Sequence, residues 1–561
     1  MVDALDRVRP NPPRPVPPPP RSPHSTSIRA PATGISAAAD TATASIRLAP
    51  VGPPARAPGP GRMSSTETLA LRTRTLRAFL LLAGQRVATL VVTAAGGILL
   101  ARLLTPEEFG LYAIIVFAVG IGVIVGDLGL GAALVQRKQL DPAVALGAAF
   151  TLQAALAFGL GAALVGLAPI IVQAFRLPPE AAGPLRWLAL LVPLSALRMP
   201  AAVLLERDLT YLPLSVADSL DPVVFHAVAV AAALAGAGVW SFVLGAVTAR
   251  LATLAVLWAA ARWRPVLRWS WTDLAPVLGF GILYQGSTLV SLIRDAALPT
   301  FVAAWSGVAA VGLLNWAATI AFLPLQMVSI AGRVLFPALS RLQDAPREFA
   351  AATERAMNRV AALLYPVALL LLAGADVIVR PIYGDAWVPA VPAVRLFCVA
   401  AVLGGTTNLM LHVLYSLGRA DIVLRLNLLW AALVWAFTLV FVPRVGFVGF
   451  ALASACASAT GIPAALALRR LVPIRIFHPL RVPLLASLAS ALLMALLAVS
   501  WIHDLFSLLI AACTAAVTYI GLACLLGGAT WRAELLTDWR RVRQPPPPEA
   551  QGQRKGRTAT G

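Results

Sequence analysis

The sequence predicts an all-α integral membrane protein of about 14 transmembrane helices, two six-helix bundles followed by a C-terminal helix pair. Three observations predict it: a composition 59% hydrophobic and only 12% charged, apolar runs of bilayer length recurring along the chain, and basic residues gathered in the breaks between them. Hydrocarbon solvates neither charges nor unpaired backbone amides, so a chain embedded in it takes the form of apolar helices with charges at their ends.

The first 62 of 561 residues are a different material: Pro10 to Pro20 is dominated by proline, and nothing up to Arg62 can build a core. This reads as a disordered tail, 1–62, and not as a secretory signal, which needs an apolar centre. Met63 offers an alternative start. Runs long enough to span, about 20 apolar residues, then fall near 77–100, 111–134, 143–168, 185–205, 218–236 and 239–260. These define a first bundle, 76–260. Within it Pro193, Pro200, Glu206, Asp208, Asp218 and Asp221 interrupt the fourth and fifth runs. A charged break with Arg262, Arg264, Arg268 and Asp273 precedes a second bundle, 272–470. Its runs lie near 275–302, 308–336, 357–379, 389–416, 422–442 and 446–468. A further hairpin, 480–528, holds runs near 481–501 and 505–528, and a basic, proline-rich tail, 531–561, closes the chain.

The net charge of +20 comes from 45 Lys+Arg against 25 Asp+Glu. A nucleic-acid binder gathers such charge on one folded face or in a tail; here most of it flanks apolar segments, which excludes nucleic acid as the partner and fits an anionic leaflet. Arg137, Lys138, Arg262, Arg264, Arg268, Arg341, Arg347, Arg355 and Arg359 lie in loops on the tail side, whereas Arg102, Arg176, Arg186, Arg380 and Arg444 are the basic residues opposite. The positive-inside rule therefore puts both termini in the cytoplasm. Cys398, Cys456, Cys513 and Cys524 stand singly, without metal-ligand spacing.

The two sets of six also resemble one another. An offset of 202 places Gly110-Leu111 on Gly312-Leu313, and Gln85, Thr89, Thr93 and Gly97 on Ser287, Ser291, Asp295 and Pro299. Each row follows i, i+4, i+8, i+12, one stripe of one helix face. Helices one and seven would then present equivalent small or polar faces in parallel repeats. Such a stripe has two readings, close helix packing or a water-filled cavity wall. Arg294 and Asp295 sit well inside the seventh run, where a charge is costly unless paired or wet. Arg198 lies between Pro193 and Pro200, Asp127 at the inner end of helix two, and Asn408 and His412 form an i, i+4 pair able to bind a sugar or to bond to each other. His226 reads as a packing histidine.

No phosphate-cradling Gly-rich loop, His-Glu-x-x-His motif or nucleophile elbow occurs, and no cofactor is implied. Glu107, Glu108, Asp385 and Asp504 form no catalytic set. A transporter is therefore favoured over an intramembrane enzyme acting on polyprenyl-linked sugars, with a cation-coupled drug or lipid exporter as the other alternative.

Several segments resemble the bacterial polysaccharide-export transporters, the oligosaccharide flippases of the multidrug/oligosaccharidyl-lipid/polysaccharide exporter superfamily. They are Ala101-Arg102-Leu103-Leu104-Thr105-Pro106-Glu107-Glu108-Phe109-Gly110-Leu111-Tyr112, the run from Asp127 to Gln136, Val334 to Leu342, and Tyr383-Gly384-Asp385-Ala386-Trp387. The likeness covers about 76 to 470; the family's glycine-rich junction is replaced by Ala303-Ala304-Trp305-Ser306-Gly307, and the pair after 480 exceeds the twelve helices of many members. The resemblance implies a non-enzymatic flippase of the bacterial plasma membrane that carries an undecaprenyl-diphosphate-linked oligosaccharide outward by alternating access. It implies membrane lipids, a polysaccharide polymerase and export machinery as partners, and Na⁺ or H⁺ as candidate coupling ions. On this reading Arg294, Arg198 and Arg102 are candidate phosphate or acidic-sugar contacts, because a guanidinium pairs with phosphate through two parallel hydrogen bonds. Gln85, Thr89, Thr93, Ser287, Ser291 and Asn408 are candidate neutral liners, and Asp295 and Asp127 candidate ion-coupling groups.

Overall fold

In the computed structural model, the residues described are 89–136, 142–208, 210–272, 274–275, 277–279, 281, 285, 292, 298–325, 339, 342–343, 345–502 and 504–528. Their regular elements are all helical, the form in which a spanning segment satisfies its own backbone. The first, α1, is Thr89–Leu103. It turns at Thr105 into α2, Pro106–Asp127, through a capping box: the Thr105 hydroxyl accepts the Glu108 amide (3.3 Å) and the Glu108 carboxylate accepts the Thr105 amide (2.7 Å). Pro106 in the first turn needs no intrahelical donor there. A left-handed pair, Leu128 and Gly129, then offsets α3, Leu130–Gln136, from α2.

The remaining helices of the first half are α4 (Pro142–Ala174), α5 (Ala182–Leu188), α6 (Leu191–Arg207), α7 (Tyr211–Leu234) and α8 (Trp240–Ala261). The interrupted fourth and fifth runs are thus helices after all. The break in the fourth falls at Ala189–Leu190 and not at either proline. Pro193 explains the place, since its ring crowds the carbonyl four residues before it. The second half contains α9 (Val308–Ala321), α10 (Pro346–Tyr383), α11 (Val391–Ser416), α12 (Ala420–Val445), and α13 (Val448–Ala457) running through a tight turn into α14 (Gly461–Leu471). The hairpin is α15 (Phe477–Ser500) and α16 (Leu505–Leu526).

Eleven helices among the described residues are long and apolar enough to cross a membrane, and Thr89–Leu103 and Val308–Ala321 are shorter apolar ones. The predicted fourteen is therefore not reached within these residues; most of 275–302 and part of 308–336 lie outside them, as do both predicted tails. Large apolar side chains stand outward, among them Val499 (89% exposed), Leu234 and Phe506 (both 71%), as expected where lipid is the solvent.

The halves meet where α2 crosses α9. A Cβ on Gly110 would strike the carbonyl oxygen of Val308, and one on Gly312 would strike that of Pro106. Pro106 and Gly110 are separated from Val308 and Gly312 by the same offset of 202, so the two contacts are one contact seen from either side, a local two-fold. Only glycine permits this backbone approach. Around it lies the largest apolar cluster, including Ile114, Ile115, Val311, Leu314, Trp387 and Phe397. At the other end of α2, Gly129 and Gly281 also approach closely, a Cβ on either standing 2.5 Å from a carbonyl oxygen, and Gln285 donates to the Ile124 carbonyl at 2.6 Å. Leu274 and Val277 are buried among α3, α4 and α6 residues, a further contact between the two halves.

Candidate transport site

Helices α6, α7 and α8 bring a set of charges together inside spanning segments. Arg198 on α6 pairs with Asp218 on α7 at 2.6 Å, and Arg250 on α8 lies 3.8 Å from Asp221 on α7. The Thr253 hydroxyl donates to the same Asp221 oxygen at 3.2 Å. Asp218 and Asp221 are three residues apart and share one face of α7, which lets neighbouring helices each supply an arginine. The pairing lowers the cost of holding four charges at membrane depth. One donor is left over, the buried Arg198 Nε, which has no hydrogen-bond partner. His226 is a packing residue: its ring bonds to the Pro222 carbonyl at 2.7 Å and fills the space left by Gly96 of α1.

The second half carries a cavity of about 680 Å³ bounded by α9, α11, α12, α13 and the turn that leads into α14. Its polar and aromatic lining includes Thr407, Asn408, His412, Tyr415, Asn427 and Trp430, with no charged side chain among the lining residues. Asn408, His412 and Asn427 make no hydrogen bond among the described residues, so the i, i+4 pair on α11 is not bonded to itself. Their donors and acceptors are available to the cavity. Amides beside an indole face suit a sugar, which presents hydroxyls at its rim and C–H groups on its faces.

The junction between the halves is closed by side chains as well as glycines. Arg102 donates to the carbonyls of Pro381 and Ile382 at the end of α10. Trp387, fully buried, donates from its indole nitrogen to the Ala101 carbonyl at 2.7 Å and packs on Phe109 and Trp316. The Gly-Asp-Ala-Trp element is thus a wedge between the halves. Asp127 accepts a hydrogen bond from Gln153 at 2.9 Å.

The candidates named from sequence are not gathered into one site. Arg198 stands in the charged set and Asn408 in the cavity, while the guanidinium of Arg102 is engaged by the carbonyls at the junction. Thr89 is buried and Thr93 half-buried on α1. Gln85, Ser287, Ser291, Arg294 and Asp295 lie outside the described residues. Arg250 and Asp221 were missed, although Arg250 sits mid-way along an apolar helix and satisfies the same rule that singled out Arg294. Asn427 and Trp430 were missed because a lone amide and a lone tryptophan carry no positional signal until α11 faces α12. Among the described residues no group of three His, Cys, Asp or Glu side chains can hold a metal ion.

A family model described as "Polysaccharide biosynthesis protein" matches residues 99–392, just over half of the chain. The chain belongs to this family. The membership agrees with the resemblance read from the sequence. Similar proteins include the lipopolysaccharide biosynthesis protein WzxC of Escherichia coli (strain K12), 22% identical over 61% of this chain and 70% of that protein. The succinoglycan biosynthesis transport protein ExoT of Rhizobium meliloti (strain 1021) is 26% identical over 60% of this chain and 67% of its own length. The teichuronic acid biosynthesis protein TuaB of Bacillus subtilis (strain 168) is 24% identical over 53% and 62% respectively. Among solved structures, the lipid II flippase MurJ in an inward closed conformation superposes with a TM-score of 0.67 over 80% of this chain and 98% of MurJ, at 12% identity. An inward-facing MATE family multidrug resistance transporter of the MOP superfamily gives 0.51 over 68% and 95%, at 16% identity. This family member therefore has an all-α, multi-pass membrane fold of the MurJ and MATE kind.

Proposed function

We propose that this protein is a flippase that moves polyprenyl-diphosphate-linked oligosaccharide from the cytoplasmic to the outer leaflet of the bacterial plasma membrane for polysaccharide export. The observation that carries the reading is the cavity between α11 and α12, where Asn408, Asn427 and Trp430 line a neutral, sugar-like environment inside a membrane-spanning fold. Family membership, and the transport and biosynthesis roles in the names of WzxC, ExoT and TuaB, support the same substrate class.

The reading divides labour between two six-helix halves, 76–260 and 272–470, with the hairpin 480–528 added and both termini cytoplasmic. Asn408 holds sugar hydroxyls weakly enough to release them. Arg198, exchanging Asp218 for a phosphate oxygen, and Arg294 contact the diphosphate. Thr89, Thr93, Gln85, Ser287 and Ser291 line the path. The halves rock about α2, whose two ends are held to the second half by the Gly110/Gly312 and Gly129/Gly281 approaches; alternating access requires these to part in turn. A headgroup of charge about −2 leaving a negative interior gains roughly 4–5 kcal/mol per 100 mV. Coupling to Na⁺ or H⁺ at Asp295 or Asp127 is the competing energy source. Polymerase and export machinery receive the product.

Reconstitution in sealed vesicles with a fluorescent polyprenyl-diphosphate glycan tests the function. Glycan should reach the far leaflet, with no new covalent product and no export of a cationic drug offered in parallel. Drug export without glycan movement, or a bond-forming product, would overturn the assignment. Flipping that needs an ion gradient at zero potential would replace the potential-driven account with a coupled one.

A further inference from the structure

We infer that a second polar pocket, between the start of α10, the start of α15 and the end of α16, binds the phosphate of a membrane-lipid headgroup. The pocket measures about 430 Å³ and is lined by Arg355, Asn358, His478 and Arg481, with Glu354 at its edge. It shares no lining residue with the cavity between α11 and α12. Four features point to an anion carried on lipid.

First, the guanidiniums and the imidazole are unspent. Arg355, His478 and Arg481 are exposed and make no ion pair or hydrogen bond among the described residues. The one carboxylate, Glu354, is engaged by the Arg475 backbone N–H at 2.7 Å and is paired with none of them. Second, His478 lies in the opening turn of α15 and Arg481 directly follows it, and that turn has no acidic residue. Helix starts carry partial positive charge, so the Arg481 guanidinium beside one is unfavourably placed unless an anion joins it. Third, α10 is 38 residues long, about 57 Å at ~1.5 Å per residue, well beyond the ~30 Å hydrocarbon core. Its charged beginning, Arg347 to Arg359, therefore reaches the headgroup layer, and Arg355 stands at that depth. Fourth, the pocket floor is apolar, with Pro479, Val482 and Leu526, and the surface beyond it continues outward as Leu485 (54% exposed), Leu488 (47%) and Leu525 (69%). A polar cup against an outward apolar wall accommodates an amphiphile: phosphate on the guanidiniums, acyl chains along the leucines. A free phosphate ion would make no use of the wall.

The inference rests on the membrane embedding and on cytoplasmic placement of this end under the proposed function, but its test requires no transport. The purified full-length protein, in detergent, is titrated with phosphatidylglycerol, phosphatidylcholine or undecaprenyl phosphate, and bound lipid is counted by native mass spectrometry. Arg355→Gln with Arg481→Gln is expected to lower phosphatidylglycerol retention by about tenfold or more, because each cation near a lipid surface contributes roughly one factor of five. Arg469→Gln with Arg470→Gln, the same charge change outside the pocket, should leave retention unchanged. Equal losses in the two pairs, or none in the first, would overturn the site, whether or not glycan flipping is observed. Inorganic phosphate that displaces phosphatidylglycerol at equal concentration would also overturn it, by making the lipid wall irrelevant. A parallel loss of undecaprenyl phosphate assigns the site to the polyprenyl carrier as well; a loss confined to phosphatidylglycerol assigns it to resident phospholipid.

Discussion

The two halves share a helical frame and an offset of 202 residues at their crossing, yet the polar set on α6, α7 and α8 and the cavity between α11 and α12 are built in opposite ways. In the first half the intramembrane polar groups are charged and engaged with one another: Arg198 with Asp218, Arg250 and Thr253 with Asp221. In the second half the polar lining of the cavity is neutral, and Asn408, His412 and Asn427 have no partner among the described residues. The difference follows from cost. An unpaired charge at membrane depth costs about 3 kcal/mol, whereas an amide facing a wet cavity costs little. The charged set can meet a new charged group through the spare Arg198 Nε or by exchanging an existing partner, while the cavity can receive a neutral group without breaking anything.

The comparison depends first on the frame being shared. Gly110→Leu and Gly312→Leu each force a side chain into a backbone carbonyl, and each should destabilise the protein by about 3 kcal/mol, with transport lost. The two losses, measured as thermal stability in detergent, should agree; a large inequality would break the two-fold relation. Asp218→Ala, the next largest effect, strands Arg198 and should cost about 2–3 kcal/mol, while Arg198→Met with Asp218→Leu should restore most of it. If the single and double variants are equally unstable, the pair is not what holds the first half. In the second half, Asn408→Ala or Asn427→Ala should leave stability unchanged and weaken glycan binding by about 1 kcal/mol, near fivefold. Loss of stability there would show that the amides have structural partners. Smallest of all, Thr253→Val should cost about 1 kcal/mol or less, since Asp221 retains Arg250.

Much of the frame was legible beforehand. The segment with Thr105-Pro106-Glu107-Glu108, which carried part of the family resemblance, folds as a capping box from local residues alone. The interrupted runs around Pro193 and Asp218 were harder to read, because whether a polar residue ends a helix depends on whether another helix offers a partner. Arg198 was visible as a charge in an apolar run, but Asp218, twenty residues away, became its partner only when α7 packed on α6. Arg102 illustrates the reverse: a candidate for substrate phosphate by chemistry, it faces carbonyls 279 and 280 residues away. The cavity was half visible, in Asn408 and His412, since their spacing on one helix is a local property, whereas Asn427 and Trp430 belong to the next helix.

By itself the amino-acid sequence determined that this protein lives in lipid and where most of its apolar runs lie, because hydrocarbon forces each span to satisfy its own backbone and to be apolar along its length. Which charges meet, which amides stay open and which glycines touch was decided only in the tertiary structure. Those are relations between helices, set by rotation and depth, and no local pattern encodes the face that a distant neighbour will present.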